Sequence, residues 1–179
     1  HKRDLSVVFN RVTPNWKHLD YVAGWFLMAA YYSQSVPECR SAFVATNSIC
    51  QGQQVAILWP LIFAVGIEIH FAHASFEWKN LATHNAGVTV VIVGLCRSNK
   101  GNKKYLYEAG ENGLTTERVV DRINAYLISG ELTIVVPRRT QLSGLPEFDR
   151  GNSPTDGGNL LLDSEELEGL GLSREERRT

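Results

Sequence analysis

Several absences bound what this 179-residue chain can be. It has only three cysteines, Cys39, Cys50 and Cys96, and no two of them form a Cys-x-x-Cys pair. An odd, scattered set does not build a disulfide framework or a zinc knuckle. It predicts buried or half-buried thiols in a reducing cytoplasm. No apolar run approaches the roughly 20 residues that cross a bilayer, and no secretory pattern is visible, so no membrane partner is expected. Lysine and arginine number 18 against 19 acidic residues, a formal net charge of −1, so no global basic field advertises nucleic acid. Gly-x-Gly-x-x-Gly and Walker-type phosphate loops are missing, as is the Gly-x-Ser-x-Gly elbow of hydrolases. The chain opens on His1 rather than Met, which suggests an internal piece of a longer protein.

What is present is ordinary globular material: 44% hydrophobic and 21% charged residues, enough for one core and part of another. Residues 1 to 15 are mixed and predict a loop. From Trp16, with Asn15 as N-cap, an apolar stripe at Leu19, Val22, Ala23, Phe26 and Ala30 predicts a helix that ends before Pro37. SAFVAT, Ser41 to Thr46, reads as a strand. Gln51 to about Phe63 reads as a second helix, with Pro60 placed to kink or shorten it. Ile67 to Phe71 alternates with period two, and Val88 to Leu95 (VTVVIVGL) is the strongest β segment. This order is that of a layered α/β fold with a parallel sheet. The last two strands lack a helix between them and predict an antiparallel hairpin joined by a long loop, Ala72 to Gly87.

After Cys96 the character changes. Arg97 to Lys104 (RSNKGNKK) is basic and polar, and marks a domain edge, with residues 1–97 on one side and 98–179 on the other. Beyond it, Val119 to Leu127 reads as a short helix and Leu132 to Val136 as a short strand. Gln141 to Gly158 is rich in glycine, proline, asparagine and serine, and the tail from Asp163 is acidic and helix-like.

Few residues point to chemistry. His70 and His73, three apart on a strand, face opposite ways and make poor co-ligands for a metal, so no metal site is expected. Asp156-Gly157-Gly158 is a turn signal. Thr46-Asn47-Ser48 closes the SAFVAT strand, and ligands of open α/β sheets lie beyond the carboxyl ends of parallel strands. The trio either lines a site or forms a turn and helix N-cap. The stretch Ser75-Phe76-Glu77-Trp78-Lys79-Asn80 sets two large aromatics among polar groups. Such rings either serve as stacking platforms for bases or fold back on the core.

The ordered strings LDYVAGWFLMAA, SAFVATNSICQGQQV and IHFAHASFEWKNLATHNAGVTVVIVGL resemble the later motifs of N6-adenine DNA methyltransferases. The similarity is greatest to the large single-chain restriction–modification family, in which nuclease, methyltransferase and target recognition share one polypeptide. PRRTQLSGLPEFDRGNSPTDGGNLLLDSEEL resembles that family's lead into the target-recognition domain. The resemblance spans Leu19 to about Leu167, and residues 98 to 130 add little to it.

The resemblance implies the C-terminal part of a Rossmann-like methyltransferase sheet that ends in an antiparallel β hairpin, followed by an irregular α+β segment. It implies a class I enzyme that transfers a methyl group from S-adenosylmethionine to the N6 amine of an adenine in a specific double-stranded DNA site. That adenine is flipped from the duplex. The methyl passes directly to the amine, whose lone pair an Asn-Pro-Pro-aromatic loop frees, so placement and electrostatics do the work. A second aromatic packs on the flipped base. Here it would be Phe76 or Trp78, with Phe76 favoured by the Ser-Phe-x-Trp string. Asn47 and Ser48 would approach the active-site rim.

The sequence departs from the family pattern in one large respect. The glycine-rich cofactor loop, the Asn-Pro-Pro loop and the ribose-binding acid are all absent. No catalytic or cofactor-binding residue is therefore carried over, and the chain alone is expected neither to hold S-adenosylmethionine tightly nor to turn over. An alternative is a non-catalytic DNA-recognition or interaction module derived from a methyltransferase. A nucleotide-binding oxidoreductase piece is permitted by the α/β order, but does not predict a hairpin carrying Phe76 and Trp78.

Overall fold

The computed structural model describes residues 1–78, 87–99, 101–110, 114–138 and 169–170. The chain divides into two compact units, His1–Pro137 and Arg138–Thr179. The glycine-rich stretch, the acidic tail and the string resembling a recognition segment lie almost wholly outside the described residues. So do Lys79 and Asn80.

The first unit is a five-stranded sheet with helices on one face. Its elements are α1 (Lys2–Phe9), a 3-10 turn (Trp16–His18), α2 (Val22–Ser35), β1 (Arg40–Thr46), a second 3-10 turn (Asn47–Cys50), α3 (Gly52–Ala64), β2 (Ile67–Glu77), β3 (Thr89–Arg97), β4 (Lys104–Ala109) and β5 (Thr115–Val120). The strand order is β1-β3-β2-β4-β5. β3 runs antiparallel to both β1 and β2, so these two point the same way with β3 inserted between them. The β1–α3–β2 crossover and the β2–β3 hairpin are those expected of the end of a Rossmann-like sheet. β4 then joins β2 in parallel and β5 closes the edge. The edge expected at residue 97 falls at the end of β3, and the chain returns to the same sheet beyond it.

Side-chain alternation explains the two faces. Phe43 and Ala45 of β1, Ile67, Ile69 and Ala72 of β2, Val91, Val93 and Leu95 of β3 and Leu106 of β4 point to the helices. There they meet Leu5, Phe9, Phe26, Leu27, Leu58, Trp59 and Ile62, most of them fully buried. The other face carries Val44, Val90, Ile92, Phe71, His73, Tyr105 and Tyr107, by register with one another. Glu68 stands on that face too. It receives the buried Lys104 ammonium at 2.7 Å and the Ser98 hydroxyl at 3.2 Å. Lys104, the last residue of the basic stretch read as a domain edge, is thus a strand residue with a paired charge.

Five expectations give way here. Residues 2–9 are helical, because Leu5 and Phe9, four apart, reach the core. The helix expected from Trp16 is split, and α2 begins only at Val22. Between the two pieces the Asp20 backbone N–H is taken by Gln54 rather than by a helical carbonyl. The expected loop from Ala72 is in fact strand as far as Glu77. The expected helix over 119–127 is the end of β5 and a turn in which the Asn124 side-chain oxygen accepts from the backbone of Tyr126 and Ile128. Residues 132–136 pair with no strand, although Ile134 packs on the core and the Val135 N–H donates to the Tyr126 hydroxyl. Pro60 lies inside α3 on its exposed side, and the helix continues past it to Ala64.

Two β-bulges in β2 explain why its alternation misleads. Ile69 pairs with Leu95 but Phe71 with Gly94, and His73 pairs with Ile92 but Phe76 with Val90. Each extra residue shifts the following side chains to the face they would otherwise leave. At the first bulge, Phe71 lies across Gly94, where an added Cβ would overlap the Phe71 ring. We predict that Gly94→Ala costs about 1–3 kcal/mol of unfolding free energy. Phe71→Ala in the same chain should recover part of it, as read by urea denaturation. Equal stability of Gly94→Ala and the parent would contradict this packing.

Candidate functional site

Because β1 and β2 run together, their carboxyl ends reach the same edge of the sheet. The register sets Thr46, Val90 and Phe76 in one row across β1, β3 and β2. Two inter-strand spacings separate Thr46 from Phe76, about 10 Å between backbones. Sequence reasoning treated Asn47-Ser48 and Phe76-Trp78 as separate features, and the fold brings them to one edge.

The β1 end is fixed by a polar network. Ser48 donates to the Asp20 carboxylate at 2.6 Å, and the Thr46 and Ser48 hydroxyls lie 2.8 Å apart. With the Ser48 proton committed to Asp20, Thr46 is the donor in that pair. The same Asp20 oxygen accepts from the Gln54 amide at 2.8 Å, and the Asp20 N–H donates back to Gln54 at 2.9 Å. The 3-10 turn is held from beneath: the buried Trp59 indole N–H donates to the Ile49 carbonyl at 2.8 Å. Cys50, beside it, is buried among apolar groups, which pushes its thiol up to about 12 and leaves it inert. Cys96 is also buried and Cys39 half-buried, and all three are free.

The β2 end carries the aromatics. Phe76 is half-buried, and its ring stands edge-on to His73 at 6.2 Å between centroids. His73 in turn stacks on Tyr107 at 4.5 Å, with 12° between the rings. Trp78 is 47% exposed, and its backbone N–H still donates across the hairpin to Val88 at 2.8 Å. Two residues on from Phe76 along extended backbone, it lies towards the same face.

The bulges also correct the reading of the histidines. His70, the extra residue of the first bulge, puts its ring 6.1 Å from Tyr105. Tyr105 and Tyr107 alternate onto one face of β4, so His70 and His73 share that face rather than opposing each other. Burial first, then the charges of Arg40 and Lys104, hold His70 below the usual histidine range, so its ring is neutral at neutral pH. Among the described residues no group of three or more histidine, cysteine or acidic side chains converges to hold a metal.

Asp20, Gln54 and Tyr107 escaped sequence reasoning, and His73 was weighed there only as a metal ligand. Asp20 had a signal, an N-cap-type residue just ahead of the apolar run of α2. Gln54 had another, an amide on the buried side of a helix. The tyrosines of KYLYEA alternate, but in a stretch whose basic flank read as loop.

Chemically, this edge offers flat rings, hydroxyls and an amide. It has no glycine-rich turn to admit a nucleotide, and Asp20 is committed to Ser48 and Gln54. Flat rings of this kind can stack on a planar base.

Comparison with known proteins shows what the chain is similar to. The DNA-methyltransferase domain of the MmeI family matches residues 1–108. DNA methyltransferase A of Bacillus subtilis (strain 168) is 43% identical over 162 residues, 90% of this chain and 18% of that protein. The solved structure of the Type IIL restriction-modification enzyme MmeI in complex with DNA superposes with a TM-score of 0.82 at 42% identity. That match covers 94% of this chain and 22% of that one. The chain thus spans about a fifth of the length of these relatives. Among the described residues no helix is long and apolar enough to cross a membrane.

The network at the β1 end generates a prediction. Asp20→Ala strands the Gln54 amide and frees Ser48, and should cost about 1–3 kcal/mol in chemical denaturation. A variant as stable as the parent would show that the Asp20 carboxylate does not hold this turn.

Proposed function

The chain belongs to the MmeI DNA-methyltransferase domain family, and from that premise we propose that it forms the base-holding end of an N6-adenine DNA methyltransferase. The donor is S-adenosylmethionine, the substrate is double-stranded DNA with a flipped adenine, and the setting is a restriction–modification system in a prokaryotic cytoplasm. Residues 1–97 supply most of the methyltransferase sheet, which β4 and β5 extend to Val120, and the rest of 98–179 leads into the target-recognition region. The cofactor and the amine-polarising loop belong to the rest of an enzyme of the relatives' length, so this chain alone does not turn over.

The observation that carries the reading is the shared edge. Phe76 and Trp78 come from one strand end, and Asn47 and Ser48 from the co-directional strand on the other side of β3, at the same edge of the sheet. Phe76, half-buried and braced, stacks on the flipped base. Trp78, further out, meets the DNA beside it, and Asn47 and Ser48 form the rim. When bound elsewhere in the enzyme, S-adenosylmethionine supplies the electrophilic methyl. The contribution of this chain is to hold the base flat and exclude water from one of its faces.

Replacing Phe76 and Trp78 by alanine in the intact enzyme tests this. With a mismatched target, where flipping is cheap, Phe76→Ala should weaken base affinity and methyl transfer by about five- to a hundredfold, the worth of one stacked base. Trp78→Ala should cost less. If neither variant changes rate or affinity, the assignment is wrong.

A further inference from the structure

We propose that His73 is a positioning residue that sets the plane of the Phe76 ring through a stack on Tyr107. The inference rests on the reading of Phe76 as the base platform. It starts from the second bulge of β2. Between His73 and Phe76 the strand spends three steps where β3 spends two, from Ile92 to Val90. Plain alternation would send residues 73 and 76 to opposite faces. The bulge at Ala74 and Ser75 instead turns Phe76 onto the face of His73, at the strand's carboxyl end.

A bulged residue at a strand end is poorly fixed by backbone pairing alone, so its ring needs a neighbour. His73 is that neighbour, and it is itself held. Its β4 register partner is Tyr107, whose ring lies parallel to the imidazole. Tyr107 is directly opposite Glu117 on β5. Hydrogen bonding to that carboxylate, then burial, raises the tyrosine's pKa above its ordinary value. A row Glu117, Tyr107, His73 thus crosses three strands and ends against the edge of Phe76. Offset and edge-to-face contacts of this kind are worth enough to hold a ring orientation. Among the described residues His73 joins no metal-binding group.

The test places 2-aminopurine at the target base and reads its fluorescence with the intact enzyme, alongside kcat and KM for DNA. His73→Ala should lower trapping of the flipped base and kcat by about three- to tenfold, the range of one aromatic contact, with KM nearly unchanged. His73→Phe, which keeps a flat ring, should restore most of it. If His73→Ala does not fold, His73→Leu carries the same expectation, since it keeps bulk and loses the flat face. Combined with Phe76→Ala, the His73 change should add nothing further.

The outcomes separate the two ideas. Phe76→Ala with no effect overturns the platform reading itself. A large Phe76→Ala effect with His73→Ala fully active, or with the two losses additive, overturns the positioning role alone.

Discussion

The structure depends on a strand that is hydrogen-bonded along both edges. β3 pairs with β1 over seven consecutive positions, from Arg40 opposite Cys96 to Thr46 opposite Val90, and with β2 along its other side. Inserting one antiparallel strand between two that run the same way forces both carboxyl ends to one edge. Neither the Asn47–Ser48 turn nor Phe76 could be moved from that edge without unpairing β3. The apolar side chains of β3, nearly all buried, make such unpairing costly.

The two halves of the edge are then fixed by different means. At β1 the ties are polar and directional, through Asp20, Gln54, Ser48 and the Trp59 indole. They join the start of α2, the body of α3 and the end of β1, three elements distant in sequence. At β2 the ties are aromatic, and they run sideways through the sheet to β4 and β5. Hydrogen bonds hold a backbone turn in register, whereas ring contacts leave a side chain able to receive another flat ring. The division fits a rim at one end and a platform at the other.

Much of this was legible in the residues. SAFVAT, the α2 stripe and VTVVIVGL announce themselves by period and β-branching, and the lack of a helix between the last two strands gives the hairpin. The combined strings also pointed to the family. Periodicity failed where the chain departs from a regular ladder. The bulges at His70 and at Ala74–Ser75 break the alternation that defines a strand, so β2 looked half as long as it is and His70 and His73 looked opposed. α1 is too short for two turns of evidence, since only Leu5 and Phe9 mark it. β4 hid behind a basic flank because its lysine is neutralised by Glu68, a partner 36 positions away. Pairings of that range leave no local trace.

The proposed role is that this edge holds an adenine while its exocyclic nitrogen is methylated. The most direct measurement incubates the intact enzyme carrying this sequence with DNA and methyl-labelled S-adenosylmethionine, digests the DNA to nucleosides and identifies the labelled one. The account predicts that the label resides in N6-methyldeoxyadenosine, and that the signal falls with the Phe76 ring removed. Label found in cytosine alone, or none transferred by a folded enzyme, would contradict it.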